Sequence, residues 1–147
     1  MKRSGFTMIE LIFVIVILGI LAAVAIPKLA ATRGDAEISK MSTNAATVVS
    51  DVGAHYTAQG SMGANWYDMT NVSLETAVGT SADGTTAVAT DVLLTDGTNT
   101  CVTFSISDAN LTVSVPAAPT GTICTAVAAN VDSLVKTHSF GGACVSY

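Results

Sequence analysis

One acidic side chain lies where acids are rarely found, near the start of a long apolar run. The run covers residues 6–26, and Thr7 and Glu10 are its only clearly polar members. A carboxylate at the centre of a bilayer costs roughly 2.5–3.5 kcal/mol on insertion scales, and less near the interface. Glu10 is therefore a candidate for function, and an acid in such a place needs a partner.

Three cysteines and two histidines are the other residues with reactive side chains, namely Cys101, Cys124, Cys144, His55 and His138. A cysteine paired with a histidine can act as a nucleophile. No signature of such a pair surrounds these residues, so we expect no catalytic residue and no enzymatic activity. The odd number of cysteines leaves one thiol over, or one bond between chains.

The acidic residues lack the spacing of a metal site. Asp83, Asp91 and Asp96 are scattered among threonine and glycine, without the pattern of a calcium-binding EF-hand loop. No acid follows Lys136, and the sequence contains no nucleotide-binding motif. We therefore expect neither a metal ion nor a cofactor.

Charge is distributed unevenly along the chain. Lys2 and Arg3 precede the apolar run, which orients the N-terminus towards the cytoplasm. After Lys40 the only basic residue is Lys136, and the eight acids of this part are Asp51, Asp68, Glu75, Asp83, Asp91, Asp96, Asp108 and Asp132. One base minus eight acids gives a net charge of −7. A phosphate-binding surface needs clustered Lys and Arg, so no direct contact with nucleic acid is expected.

The apolar run has the length of a single membrane span. Its 21 residues form a helix of about 30 Å, the thickness of a bilayer core. Residues 1–5 form a short basic leader. A secretory signal is usually cut after its apolar core, whereas the small residue Gly5 lies before it. Spacing alone leaves open both a cut after Gly5 and an uncleaved signal-anchor.

Helical periodicity continues beyond the apolar run. Apolar residues recur at intervals of three and four, and the resulting stripe consists of Ile38, Met41, Ala45, Val48, Val52 and Tyr56. Gly60 is a suitable C-cap. One helix is therefore predicted over residues 7–58. Pro27 and Gly34 weaken it, so bending or local melting is expected within residues 27–35.

The second half of the chain contains strand patterns. A long connection is predicted over residues 61–100, with a short strand at 92–95 and with Trp66 and Tyr67 packed on the core. Alternating residues predict a β-hairpin whose strands contain Val102, Phe104 and Ile106, then Leu111, Val113 and Val115, around a turn at 108–110. Residues 122–136 fit a helix, and residues 140–147 a final loop or edge strand.

The helical stripe and the hairpin each have one apolar face. Packing one on the other buries both, which predicts an α+β fold with a long N-terminal helix on a small antiparallel sheet. The predicted parts are a leader (1–5), a transmembrane helix (6–27), the amphipathic half of the helix (28–60), a connecting region (61–100), and the hairpin with the C-terminal region (101–147).

The segment GFTMIELIFVIVILGILAAVAIP resembles the N-terminus of type IV pilins and of type II secretion pseudopilins. The likeness covers about the first 30 residues and includes the basic leader and the apolar helix. It implies cleavage by prepilin peptidase after Gly5 and N-methylation of Phe6. It also implies that Glu10 pairs with the N-terminal amine of a neighbouring subunit. Gly19 would allow close approach of helices, and a kink at Pro27 would serve their packing in a filament.

The resemblance also implies partners and a location. The chain would be a single-pass precursor in the bacterial inner membrane, with its head in the periplasm. It would then join a homo-oligomeric helical filament, a pilus or a pseudopilus, built by an inner-membrane assembly platform and its ATPase. A type IV pilin for adhesion, motility or DNA uptake is the preferred interpretation. A pseudopilin that drives protein export is the alternative, and a membrane-tethered periplasmic domain that never polymerises is the third.

Disulfides persist in the periplasm, and two pairings are open. A Cys101–Cys124 bond would join the hairpin to the following segment, and this pairing is preferred. A Cys124–Cys144 bond would close the tail as a loop, as in many pilins.

Overall fold

The structure, a computed structural model, describes residues 5–76 and 86–141. The chain divides into two compact units, Met1–Ala36 and Glu37–Tyr147. We call the second unit the head.

The first element is the long helix α1, Met8–Gln59. It ends because Gly60 adopts φ +73°, a left-handed conformation that glycine enters without a steric penalty, and the Gly60 N–H donates to the Tyr56 carbonyl at 2.8 Å. The helix predicted over residues 7–58 is confirmed to within one residue at each end. Residues 27–35 remain α-helical, so the expected local melting was wrong, while a bend stays a prediction. Pro27 removes only one backbone hydrogen bond from a helix of 52 residues.

The head contains a five-stranded antiparallel sheet in which spatial order follows chain order. The strands are β1 (Glu75–Thr76), β2 (Val92–Thr95), β3 (Thr100–Ser107), β4 (Asn110–Ser114) and β5 (Thr137–Ser139). Phe104 of β3 lies opposite Val92 and Val113, so these three side chains share one face. The short strand at 92–95 and the hairpin were predicted correctly, although Val115 lies beyond the end of β4.

One apolar core fills the head. The α1 stripe supplies Ala45, Val48 and Val52, which are completely buried, as are Phe104 and Leu111 of the sheet. These side chains belong to a single cluster of buried residues, as expected for a helix packed on a sheet. The α+β fold class predicted from the sequence is therefore confirmed.

A second helix completes the core. Helix α2, Thr122–Asn130, buries Cys124 and Val127, and a 3₁₀ turn at Asp132–Leu134 follows it. The helix predicted over residues 122–136 is therefore correct for its first nine residues but too long. Val131 leaves the helical conformation, with φ −96° and ψ 7°, and is buried in the core.

The described part of the connection between α1 and β2 contains regular structure that its composition did not suggest. Trp66 opens a 3₁₀ turn, Trp66–Asp68, and is completely buried, as predicted. Its indole Nε1–H donates to the Thr90 carbonyl at 2.8 Å, which satisfies the polar atom of a large apolar side chain. Strand β1 was not predicted, because two residues are too few to show an alternating pattern.

The last strand, β5, was not predicted, whereas the loop allowed for residues 140–147 agrees with residues 140 and 141, which lie outside any strand. Strand β5 covers Thr137–Ser139, before the expected residues 140–147, of which 142–147 lie outside the described residues. Strand β5 is an edge strand of three polar residues, so the apolar half of the alternating strand pattern is absent from it. Phe140 follows it, and its ring lies 6.2 Å from the ring of Tyr56.

The core makes a direct prediction about stability. Replacing Phe104 with alanine leaves a cavity beneath α1, so Phe104→Ala is expected to lower the free energy of unfolding by about 3–5 kcal/mol. Chemical denaturation of the whole chain in mild detergent measures this. Ser107→Ala, an exposed change on the same strand, is the control and is expected to shift stability by about 0.5 kcal/mol or less. Equal effects of the two substitutions would contradict the described core.

Candidate assembly segment

The Glu10 carboxylate is held by the residue that precedes α1. Its Oε2 accepts hydrogen bonds from the Thr7 backbone N–H at 2.9 Å and from the Thr7 hydroxyl at 2.6 Å. In return, the Glu10 N–H donates to Thr7 Oγ1 at 3.4 Å. The Leu11 N–H donates to the Thr7 carbonyl, which makes Thr7 the N-cap. Thr7 and Glu10 thus form a capping box, in which two backbone donors at the helix start are satisfied.

This role of Thr7 was not predicted, although the spacing Thr-x-x-Glu before an apolar run is typical of a capping box. The box satisfies hydrogen bonds but does not neutralise charge. Within the described residues Glu10 forms no ion pair, and its second oxygen, Oε1, accepts no hydrogen bond. The carboxylate therefore keeps one oxygen available for a cationic partner.

The apolar side chains around Glu10 are exposed to solvent in a single chain. Large hydrophobic side chains of residues 6–29 have exposed fractions from 41% at Ile17 to 87% at Phe6. In length and composition this part of α1 can cross a membrane, and it is the only described helix for which that holds. An apolar surface of this size requires lipid or protein around it.

The other candidate residues of the segment lie apart from the capping box. Gly5 and Phe6 precede α1 and are exposed, so the peptide bond between them is accessible. A side chain added at Gly19 would meet no atom within 4 Å, because the space beside this glycine is open in one chain. Close helix approach at Gly19 and helix packing at Pro27 remain predictions, since both concern neighbouring subunits.

The cysteines form a second cluster, in the head. A disulfide joins Cys101 and Cys124, the preferred pairing, and Cys144 lies outside the described residues. A carboxylate oxygen of Asp96 lies within 4.8 Å of both sulfur atoms. This trio does not constitute a metal site, because sulfur atoms in a disulfide are not thiolate ligands.

Asp96 has a structural role at this cluster. Burial raises the pKa of its carboxyl group, but hydrogen bonds from Asn99 and from the Thr98 N–H outweigh burial and hold the pKa below its ordinary value. The Thr120 hydroxyl donates to Asn99 Oδ1 at 2.7 Å. These bonds tie the β2–β3 loop to the chain that leads into α2.

The histidines do not complete a nucleophilic pair in the described part of the chain. His138 Nε2 lies 3.0 Å from the Leu134 carbonyl oxygen, and His55 is on α1. Cys101 and Cys124 have no thiol to be activated, because they are oxidised to a disulfide.

Comparison with known proteins bears on the N-terminal segment alone. Residues 1–26, which contain the capping box and most of the exposed apolar surface, match the prokaryotic N-terminal methylation motif. The chain carries the signature of type IV pilins and pseudopilins. No curated protein and no solved structure matches it significantly.

The prepilin motif agrees with the architecture, since a long N-terminal helix followed by an antiparallel sheet is pilin-like. It supports a type IV pilin-like or pseudopilin precursor, and the family that carries this motif is structural rather than catalytic. It implies processing by prepilin peptidase and filament assembly, and it suggests membrane anchoring.

The capping box can be tested directly. In Thr7→Val the Glu10 N–H loses its acceptor, and loss of an N-cap costs about 1 kcal/mol. Hydrogen exchange of the Glu10 amide, measured by NMR in detergent micelles, is therefore expected to accelerate about fivefold. Thr7→Ser keeps the hydroxyl and is expected to exchange like the wild type. Equal exchange in all three proteins would show that the box does not form.

Proposed function

We propose that this protein is a structural subunit of a type IV pilus-like filament, cleaved after Gly5 and assembled through its apolar N-terminal helix. The observation that supports this most strongly is the prepilin motif on residues 1–26, in a helix whose apolar side chains are exposed. In a filament the helices of many copies pack against one another at the centre. Each helix then passes from lipid to protein without meeting water, so its apolar surface stays dry throughout.

Glu10 gives this assembly its specificity. Cleavage after Gly5 creates a new amine on Phe6, which is an ammonium ion at neutral pH. Burying a lone carboxylate or a lone ammonium is far more costly than burying them as a pair. The Thr7 hydrogen bonds occupy Oε2 of Glu10, and Oε1 accepts none within the described residues. A neighbouring copy can supply the Phe6 ammonium to this second oxygen.

The remaining steps require other proteins. Prepilin peptidase would cut at the cytoplasmic face, and Phe6 would be N-methylated. An inner-membrane platform and its ATPase would supply the energy of extraction, since this sequence has no nucleotide-binding motif. The precursor would cross the inner membrane once with its head in the periplasm. The filament would then serve adhesion, motility or DNA uptake.

A pseudopilin is the second candidate, because the same motif is present in both classes. It would form a shorter filament that drives protein export by a type II secretion system. The two candidates share the processing step and the role of Glu10, and they differ in where the filament is found.

The Glu10→Gln variant tests the role of Glu10. The amide keeps the size of the side chain but cannot neutralise an ammonium ion, and breaking a buried ion pair costs about 3–5 kcal/mol. We expect a processed, membrane-bound chain whose yield of filaments falls by about a hundredfold or more. Filaments are sheared from cells and quantified against the processed chain in membranes.

Asp35→Asn is the matched control, because it also removes one acid from α1, at an exposed position outside the apolar run. It is expected to leave the yield of filaments unchanged. Normal filaments from Glu10→Gln would contradict the proposed ion pair.

A further inference from the structure

Two triplets of the head have the pattern of an N-linked glycosylation site, an asparagine followed two residues later by serine or threonine. They are Asn71-Val72-Ser73 and Asn110-Leu111-Thr112. A glycan is bulky and is joined to the side-chain amide of the asparagine, so this nitrogen must reach solvent. Because the pattern is short, the surroundings of each triplet in the structure decide which of them can be modified.

The triplet at 110–112 is part of the sheet. It lies in β4, which pairs with β3 on one side and with β5 on the other. Asn110 is half-buried, and its Oδ1 accepts a hydrogen bond from the Ser139 hydroxyl at 2.6 Å. The Thr112 hydroxyl is hydrogen-bonded to the Thr137 hydroxyl at 3.1 Å. The asparagine and the hydroxyl of this triplet are therefore both held by β5.

The triplet at 71–73 has the opposite surroundings. It lies between the first 3₁₀ turn and β1, outside any helix or strand. Asn71 and Ser73 are exposed. They alternate with Val72 and Leu74, which are buried and anchor the segment to the core. Within the described residues, neither the Asn71 amide nor the Ser73 hydroxyl takes part in a hydrogen bond. Both groups are therefore available at the surface of the folded head.

The surface beside Asn71 has groups that a sugar ring can contact. Asn71 borders an open pocket of about 340 Å³, whose other lining residues are Asp51, Tyr67, Asp68, Met69 and Thr70. Tyr67 offers an apolar ring with a polar tip. Asp51 and Asp68 each use Oδ2 within the head, and neither Oδ1 accepts a hydrogen bond from a described residue. These free carboxylate oxygens can accept hydrogen bonds from hydroxyl groups.

We propose that Asn71 carries an N-linked glycan, added outside the cytoplasm by a membrane glycosyltransferase that recognises the Ser73 hydroxyl. The inference rests on the proposed function only in placing the head on that side of the membrane. It goes beyond the proposed function, because neither cleavage after Gly5 nor assembly through the apolar helix requires a sugar.

The donor is a sugar carried on a polyprenyl phosphate. In the transfer a bond forms between Asn71 Nδ2 and the anomeric carbon of the sugar, and the bond from that carbon to the phosphate oxygen breaks. The lipid phosphate leaves with the electron pair of the broken bond. The amide nitrogen gives up one proton to a base of the transferase, so charge and atoms balance without an oxidant or a reductant.

Mass spectrometry of the full chain, isolated from the cells that naturally produce it, tests the site. We expect the peptide that contains residues 69–74 to carry the mass of a glycan, with fragment ions that place it on Asn71. Asn71→Gln and Ser73→Ala are each expected to lose this mass completely. Ser73→Thr keeps the hydroxyl and is expected to retain it. Asn110→Gln is the matched control, because it removes the asparagine of the other triplet and is expected to leave the modification unchanged.

An unmodified Asn71 in the wild-type chain would overturn the proposal, and so would a glycan located on Asn110 instead. Loss of the mass from Ser73→Thr would show that the hydroxyl is not what the transferase recognises. Failure of the proposed function gives a different result. A glycan on Asn71 of a chain that retains residues 1–5 would contradict the filament subunit alone, whereas a processed chain in filaments with an unmodified Asn71 would contradict the glycan alone.

Discussion

The exposed apolar surface of residues 6–29 is the constraint on which the rest of the molecule depends. No described residue of the chain covers these side chains, so they require lipid or protein around them. The surface is non-directional, and by itself it would allow many packings of one helix on another. Glu10 and its capping box add a directional element, because a carboxylate with one oxygen already bonded accepts a cation from few positions.

The head buries the other half of the same helix. Residues 38–56 carry one apolar stripe, and the sheet and α2 cover it with Phe104, Leu111 and Val127. The disulfide and the hydrogen bonds around Asp96 fix the start of α2 beside the start of β3. Four of the described acids of the head, Asp68, Asp91, Asp108 and Asp132, lie exposed at its surface.

The sequence predicted those features that have a strong local period. The stripe from Ile38 to Val52 and the alternation around Phe104 and Val113 each follow the spacing of one regular element, and both were predicted correctly. Strands β1 and β5 have two and three residues and depend on their neighbours, so no local pattern marks them. At the candidate site, Glu10 could be identified because a carboxylate in an apolar run costs free energy. Thr7 was missed because polar residues are common at the start of a helix.

Intact mass spectrometry of filaments sheared from cells, with membranes measured separately, tests the central claim most directly. A filament subunit is expected to lack residues 1–5, to carry one methyl group on Phe6, and to be abundant in the sheared fraction. The same processed mass found only in membranes would favour a pseudopilin or a minor subunit. A full-length mass with residues 1–5 retained would contradict the filament assignment.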